Sequence, residues 1–427
     1  MKTSRNQSRR NFITLLGAAP FLPGLIRTIP DTEPLPANQI PGDISLPCPQ
    51  LFSIKNNYLN AAYTHPMSIA SASAVKEYIS FRLMNGNIRE SFKTEWDKVR
   101  EMYASLINAS PYEIAWIPST MTGENMIVNG LGIPLSKARI VTDGYHFDGS
   151  LYMYSQLEKT GIDLHIIKPE NNRITLEQID KAITPGTKLV AVSFVSMVNG
   201  FQHDLKKLCE IAHSRGALVY ADVIQAVGAV PLDVHDCKVD FCAASSFKWL
   251  MGDFGAGFLY VSKESMPFLR RSQYGYRQVT GMTSHWLPFD PPGNDPYEFS
   301  AGDTAASFFE VGSLANEAVI ALGESLKFIS QAGVEAISLH RQPMLKMIRT
   351  KLPSLGFTPL TPEDSTSPII SFACKDARDR LAPKLKEAKI SIQLYENRLR
   401  ISPSVYNSIS DIEKLIDVLS KTQKHEN

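Results

Sequence analysis

Short apolar runs alternate with longer amphipathic stretches across the middle of this 427-residue chain. The short runs are rich in β-branched residues, which suit strands, whereas the longer stretches repeat apolar residues at helical spacing. This alternation predicts an α/β fold with a mostly parallel sheet and helices on both faces. The predicted strands are Ile140–Thr142, Leu164–Ile167, Leu189–Phe194, Leu218–Ala221, Phe241–Ala244 and Gly257–Val261, and the predicted helices between them are Leu151–Lys159, Leu176–Ala182 and Leu205–Arg215.

The pattern changes on both sides of this region. Helical spacing precedes it, in Met67–Leu83 and Glu95–Leu106, and the segment Tyr274–Ser307 after it is rich in Pro, Gly and aromatic residues. That segment predicts an irregular loop, of the kind that often carries function. Helices and short strands then alternate and predict a second, smaller α+β domain. Its predicted helices are Leu314–Ser330, Val334–Lys351, Ala377–Ala388 and Ser410–Leu419, and its strands are Pro368–Ala373, Ile390–Leu394 and Leu399–Ser402.

Arg9 and Arg10 precede a short, mildly apolar stretch near the N-terminus, as in a twin-arginine export signal. This predicts a periplasmic protein that uses the twin-arginine export machinery; the alternative is a basic leader without function. Gly17, Pro20 and Pro23 interrupt the stretch, which is too short to span a bilayer, so no stable membrane anchor is expected. The predicted division is a signal region 1–30, a linker and N-terminal segment 31–62, a large cofactor-binding domain 63–312 and a small domain 313–427.

Composition and charge are those of an ordinary globular enzyme. Hydrophobic residues make up 44% of the chain and charged residues 20%, and the net charge is +1. No long basic run follows the N-terminus, so nucleic acid is not expected as a partner. The five cysteines match no zinc spacing, no metal is expected, and one disulfide would be compatible with an oxidising compartment.

An aspartate and a lysine each follow an apolar strand, Asp222 in Val219–Gln225 and Lys248 in Ala243–Gly252. This pair suits pyridoxal phosphate, because the lysine can form a Schiff base while the aspartate keeps the pyridine nitrogen protonated. Gln225, one helical turn beyond Asp222, is placed to donate to the phenolic oxygen of the ring. Taken singly, the two residues also fit a surface lysine and a turn aspartate.

A hydroxyl-rich turn, Trp116–Asn125, leads into a predicted helix. Free N–H groups and the helix dipole make such a turn an anion site, and it also fits a plain helix cap. The candidate phosphate contacts are Thr120, Met121 and Thr122, together with Ser245 just before the lysine.

A second turn, Thr142–Phe147, follows the first predicted strand. An imidazole or a phenol in this turn is suited to stack on a pyridine ring. His146 is the candidate that we favour for this role, and the alternative is a structural histidine.

With these motifs in view, the chain from about Tyr58 onward resembles the class V aminotransferase family of fold-type-I pyridoxal phosphate enzymes. Phe309–Ser313 and Leu399–Asn407 are further family-like segments. The resemblance implies a homodimer with shared active sites, a mostly parallel sheet in the large domain and a smaller α+β C-terminal domain. It assigns the Schiff base to Lys248, the role of pyridinium partner to Asp222 and ring stacking to His146. Cofactor contacts are assigned to Thr122, Ser245 and Gln225, and a phosphate contact from the neighbouring subunit to Ser313. Binding of the substrate carboxylate is assigned to Arg400, with Arg398 as competitor.

Two departures from the family pattern bear on the reaction. The stretch Ile390–Asn397, before the C-terminal arginines, has no cysteine where desulfurases of the family carry a catalytic one, and Cys374 fits a buried strand. Transfer of sulfur through a persulfide is therefore disfavoured. Where relatives place an Asn or His that binds the ring oxygen, Ser196 or Asn199 is the candidate substitute.

The resemblance therefore predicts an enzyme that acts on a small amino acid through Lys248, with transamination as the expected reaction. Epimerisation and β-elimination by a lyase share the first steps, so both remain open, as does a catalytically silent binding protein of the same fold.

Overall fold

A seven-stranded sheet organises the chain in this computed structural model, which describes residues 44–85 and 89–423. The strand order is β2-β8-β7-β6-β5-β3-β4, and β8 alone within this sheet runs antiparallel to its neighbours. The predicted mostly parallel α/β architecture is confirmed. The strands are β1 (Asn57–Tyr58), β2 (Ile114–Ile117), β3 (Arg139–Asp143), β4 (Asp163–Ile167), β5 (Thr187–Ser193), β6 (Leu218–Asp222), β7 (Phe241–Ser245), β8 (Gly257–Val261), β9 (Val279–Ser284), β10 (Tyr297–Ala301), β11 (Thr358–Pro359), β12 (Ile370–Ala373), β13 (Ile390–Ser391), β14 (Gln393–Leu394) and β15 (Arg398–Ile401).

Helices cover both faces of this sheet and pack against it through two clusters of buried apolar residues. The central strands are buried on both faces, which explains why they appear in the sequence as continuous apolar runs. The helices are α1 (Ile69–Met84), α2 (Arg89–Leu106), α3 (Thr120–Gly130), α4 (Asp148–Glu158), α5 (Leu176–Ala182), α6 (Leu205–Ser214), α7 (Val234–Cys237), α8 (Ala305–Phe309), α9 (Asn316–Ala332), α10 (Val334–Lys351), α11 (Ala377–Glu387) and α12 (Ile409–Gln423).

The C-terminal region forms a separate antiparallel sheet, in the order β11-β12-β15-β14, with its own apolar cluster. The predicted strand Ile390–Leu394 is two short strands instead, because β13 pairs with β1 and β14 pairs with β15. Part of the predicted linker is packed structure, since β1 pairs with β13 and Cys48 and Phe52 are buried. The described residues, 44–85 and 89–423, group as one compact unit, so the boundary at residue 312 stays a prediction.

The segment Tyr274–Ser307 is not an irregular loop throughout. It contains the antiparallel hairpin of β9 and β10, and most residues of both strands are exposed. The sequence predicted a loop because apolar and polar positions do not alternate in this segment as they do in a half-buried strand.

The predicted signal region, residues 1–30, lies outside the described residues. In the described ranges, no helix has the length and apolar character needed to cross a membrane.

Candidate active site

The candidate site lies where β5, β6 and β7 reach their carboxyl ends. Ser193, Asp222 and Ser245 are the last residues of these strands, and Ser193 is in register with Asp222. Parallel strands place such residues side by side at one edge of the sheet, where open α/β sheets bind their ligands. The fold therefore brings the predicted aspartate beside the segment that carries the predicted lysine.

Lys248 follows β7 in a segment that neighbouring backbone holds in place. The carbonyl of Phe247 accepts a hydrogen bond from the His65 amide at 3.0 Å. Burial lowers the pKa of Lys248 to about 8, and the charge of Arg400 acts in the same direction while Asp222 opposes both. A large fraction of the amine is therefore neutral near pH 8, which is the form that attacks a carbonyl carbon.

Asp222 is buried, and its Oδ1 accepts a hydrogen bond from the amide of Ile224 at 2.9 Å. Burial raises the pKa of Asp222 to about 6, although the charges of His146 and Lys248 favour its ionised form. An enclosed carboxylate of this kind can pair with a pyridinium N–H, because a charged partner offsets the cost of its burial.

Helix α3 begins beside the end of β7, and two hydroxyl groups join them. Ser245 Oγ accepts a hydrogen bond from the Thr120 amide at 2.9 Å, and the Ser245 amide donates to Thr120 Oγ1 at 2.9 Å. Ser119 caps the helix by accepting from the Thr122 amide at 3.2 Å. Thr120 and Ser245 thus hold the helix start in place, and Met121 and Thr122 remain half-buried in its first turn. A helix start fixed in this way suits a phosphate group.

His146 has 0% of its surface exposed, and both of its ring nitrogens are bonded inside the protein. Nε2 contacts Glu124 Oε1 at 2.9 Å, and Nδ1 contacts Ser193 Oγ at 2.9 Å. A ring that stacks on a cofactor needs an open face, so the structure argues against the stacking role predicted for His146. Its neighbours Tyr145 and Phe147 are both half-buried, so the turn still offers two aromatic rings for that role.

Gln225 is engaged at both ends of its amide. Nε2 donates to the Ala62 carbonyl at 3.0 Å, and Oε1 accepts from Trp249 Nε1 at 2.9 Å. These bonds support the segment next to Lys248, and they leave one amide hydrogen of Gln225 for the predicted contact with the ring oxygen.

Ser196 and Asn199, the candidate substitutes at the ring oxygen, are bonded to backbone groups. Ser196 Oγ donates to the Tyr145 carbonyl at 3.1 Å and accepts from the Val198 amide at 3.1 Å. Both amide groups of Asn199 also bind main-chain atoms. Packing of the loop after β5 explains these polar residues without a cofactor contact.

Arg400 is 2% exposed on β15, and its Nη1 donates to the Met197 carbonyl at 3.0 Å. Its Nε is buried and has no hydrogen-bond partner within residues 44–85 and 89–423. Because Arg400 acts on the pKa of Lys248, the two cations lie within electrostatic reach of each other. An enclosed, incompletely bonded guanidinium beside an amine suits a substrate carboxylate.

Arg398, the competitor for this role, is engaged elsewhere. Its guanidinium lies 4.0 Å from the centre of the Tyr395 ring, and Nη1 donates to the Val198 carbonyl at 2.8 Å. Arg400 is therefore the better candidate of the two.

Ser313 is exposed, and its Oγ lies 3.4 Å from the hydroxyl of Tyr276. The predicted phosphate contact from a neighbouring subunit is compatible with an exposed serine and stays a prediction.

All five cysteines are buried, and no disulfide joins them. Burial raises the pKa of Cys48 and of Cys237 to about 11. Cys374 belongs to the apolar cluster of the C-terminal sheet. No group of three or more His, Cys, Asp or Glu in the described part of the chain could hold a metal ion.

Sequence reasoning missed Glu124, Ser119 and Ser193. Glu124 lies among Gly123, Met126 and Ile127 on a buried helix. The sequence signal for Glu124 was a charged residue among small and apolar residues of one helix.

These residues fit pyridoxal phosphate. The site offers an amine of lowered pKa, an enclosed carboxylate, a fixed helix start and, on Arg400, a buried nitrogen without a partner. Each matches one functional group of the cofactor or of an amino-acid substrate.

Comparison with known proteins gives the same result. Residues 73–415 match the family model described as Aminotransferase class-V. A probable cysteine desulfurase of Methanothermobacter thermautotrophicus is 28% identical over 70% of this chain and 72% of that protein. An uncharacterised aminotransferase of Bacillus subtilis is 25% identical over 88% of this chain and 97% of that protein.

Solved structures share the fold at lower identity. A cysteine desulfurase of Thermococcus onnurineus superposes with a TM-score of 0.75 at 23% identity, over 87% of this chain and 95% of that one. The cystine C–S lyase C-DES superposes with a TM-score of 0.74 at 18% identity, over 86% and 97%.

Proposed function

This chain belongs to the aminotransferase class-V family and uses pyridoxal phosphate, and from that premise we propose that it transaminates a small amino acid. The observation that carries the proposal is the environment of Lys248, whose pKa is lowered by burial and by the charge of Arg400 and raised in part by Asp222. The base, the carboxylate-binding group and the pyridine partner thus act on one another in a single site.

Pyridoxal phosphate, when bound, supplies a ring that withdraws electrons from the α-carbon of an amino acid. Arg400 holds the substrate carboxylate through its guanidinium, and Lys248 Nζ takes the α-proton. Asp222 would hold the pyridine nitrogen of the bound cofactor protonated by accepting its hydrogen bond. Holding the base against the α-carbon can contribute roughly 7–11 kcal/mol to lowering the barrier, because no encounter from solution is needed.

Elimination of a β-substituent is the second candidate reaction. The buried cysteines support it over persulfide-based desulfuration, because no thiol of the described chain is exposed to accept sulfur. A lyase needs no protein thiol, and the fold is shared with a cystine C–S lyase.

The absorption spectrum of the purified protein is the first test of this proposal. We expect the wild type and a Lys263→Ala control, which changes an exposed lysine, to retain a visible band after pyridoxal phosphate is added and the excess removed. The Lys248→Ala variant should lose it. A wild type without a retained band would overturn the cofactor role of Lys248.

A screen of amino acids then separates the reactions by product. A stoichiometric keto acid from the amino donor supports transamination, and release of ammonia with the β-substituent indicates the lyase. Loss of optical activity alone indicates an epimerase. A loaded protein that converts none of the twenty standard amino acids or cystine would contradict the enzyme proposal.

We also propose that the protein is exported by the twin-arginine route to the periplasm. The paired Arg9 and Arg10 before an apolar stretch support this. Cell fractionation checks it, since replacing both arginines by lysine should retain the protein in the cytoplasm.

A homodimer with shared sites is proposed on the family's assembly, and the exposed Ser313 fits it. Light scattering should give about twice the chain mass of 47.4 kDa, and a monomeric mass would overturn it.

A further inference from the structure

A buried carboxylate on α3, Glu124, has no part in the reaction described above. It is 1% exposed and accepts hydrogen bonds from the hydroxyls of Ser150 at 2.5 Å and Tyr154 at 2.6 Å, besides its contact with His146. Burial by itself would raise the pKa of Glu124, but the charge of His146 and the hydrogen bonds outweigh burial and lower it. Glu124 is therefore an enclosed anion, and both of its carboxylate oxygens accept hydrogen bonds.

The partner of this anion is the enclosed imidazole of His146. Burial by itself would lower the pKa of His146, but the charge and hydrogen bond of Glu124 outweigh burial and raise it. Removing one member of such a pair leaves the other uncompensated. Asp222 and Asp143 act on His146 in the same direction with smaller contributions, so Glu124 is the main support of its charge.

This pair lies beside the pyridine partner. His146 Nδ1 contacts Ser193, and Ser193 is in register with Asp222 on the neighbouring parallel strand, so both side chains project to the same face of the sheet. Besides burial, four groups act on the ionisation of Asp222. His146 from the loop after β3, the Ile224 amide and Lys248 from the segment after β7 favour the ionised form, whereas the direct charge of Glu124 from α3 opposes it. His146 contributes more than Lys248 to its ionisation.

We propose that Glu124 is a positioning residue that keeps His146 cationic, and that the His146 cation keeps Asp222 ionised beside the pyridine nitrogen. This inference rests on the proposed function, because it concerns the proton that Asp222 holds on the cofactor. It gives His146 an electrostatic role in place of the stacking role, and it explains a charged residue in a buried stretch of α3.

The test measures the proton on the cofactor directly. Pyridoxal phosphate labelled with ¹⁵N is bound to wild type and to Glu124→Gln, and the ¹⁵N chemical shift is followed from pH 6 to pH 9. The amide keeps the shape of the carboxylate but not its charge. We expect the fraction of cofactor that carries the ring proton at pH 6 to fall by about twofold or more in the variant, because a neutral His146 no longer favours the proton on the ring over the proton on Asp222.

A matched control removes a carboxylate–imidazole pair elsewhere. Glu113 Oε2 contacts His235 Nε2 at 2.9 Å before the start of β2, in contact with none of the site residues discussed above. The Glu113→Gln variant should leave the ring-protonated fraction unchanged. An equal fall in both variants would show a general effect of charge and overturn the proposal.

His146→Gln is the second variant, in case Glu124→Gln does not fold by circular dichroism. It should also lower the ring-protonated fraction, and the double variant should add little, because both single changes already remove the His146 cation. Unchanged fractions in folded, loaded variants would overturn the inference while leaving the proposed function intact. Failure of the wild type to retain the labelled cofactor would instead overturn the proposed function.

Discussion

At the scale of single residues, Asp222 carries a charge in a place that disfavours it. Burial raises the pKa of Asp222 from its ordinary 3.8 to about 6. The ionised carboxylate is therefore more stable in the unfolded chain than in the folded, cofactor-free protein. A residue that supports the pyridine ring thus lowers the stability of the empty protein.

We predict that Asp222→Asn stabilises the cofactor-free protein. The difference between the two pKa values corresponds to about 3 kcal/mol in the free energy of unfolding, as an upper limit. Because the folded pKa is the higher one, the gain is fully present above about pH 6 and absent below about pH 4. Urea denaturation at pH 8 and at pH 4 measures it.

The control for this prediction is Asp240→Asn. Asp240 is a buried aspartate that accepts hydrogen bonds from the Val219 amide at 2.7 Å and from the Ser265 hydroxyl. Its replacement should destabilise the protein, because an amide cannot accept at every position. A destabilising Asp222→Asn at pH 8, or an equal gain at both pH values, would contradict the prediction.

At the scale of elements, the start of α3 is held by β7 rather than by its own cap alone. The two hydrogen bonds between Thr120 and Ser245 join a helix start to a strand end that lies 125 residues away in sequence. The sequence indicated both hydroxyls as phosphate ligands, but their mutual pairing appears only in the folded chain.

We predict that Ser245→Ala weakens cofactor binding through this junction. The change leaves the Thr120 amide unpaired, which costs about 1–3 kcal/mol in stability, and it loosens the first turn of α3. The dissociation constant for pyridoxal phosphate should rise several-fold, as measured by fluorescence titration of the cofactor-free protein.

Thr175→Ala provides the comparison. Thr175 caps the exposed start of α5 by accepting from the Gln178 amide at 3.1 Å. Its loss should cost about 1 kcal/mol in stability and leave cofactor affinity unchanged. Equal loss of affinity in both variants would show that stability, and not the junction, controls binding.

At the scale of the whole molecule, the five cysteines lie in the interior from Cys48 to Cys374. The burial of these thiols argues against a reaction that passes sulfur through a protein thiol. We predict that the folded protein reacts with less than one equivalent of a disulfide reagent per chain at pH 8 within minutes, and with five in guanidinium.

A Lys414→Cys variant, with a thiol at an exposed position of α12, should react with one equivalent when folded. Rapid reaction of a native cysteine would contradict the prediction and reopen the desulfurase reaction. In that case the modified residue, identified by mass spectrometry, would be the candidate sulfur acceptor.

The sequence by itself determined the alternation of strands and helices, the aspartate and the lysine after their strands, and Arg400 near the C-terminus. These follow from short-range patterns, because strand and helix periodicity are local properties of the chain. The division of Ile390–Leu394 into two strands and the hairpin of β9 and β10 depend on pairing between distant segments, so sequence reasoning missed them.

Tertiary structure alone decided what the polar residues contact. Gln225 binds Ala62 and Trp249, and His146 binds Glu124. Such hydrogen bonds join segments that are remote in sequence, and no local spacing encodes them. The same holds for the pKa values of Lys248 and Asp222, since burial and charges from other elements set them once the chain is folded.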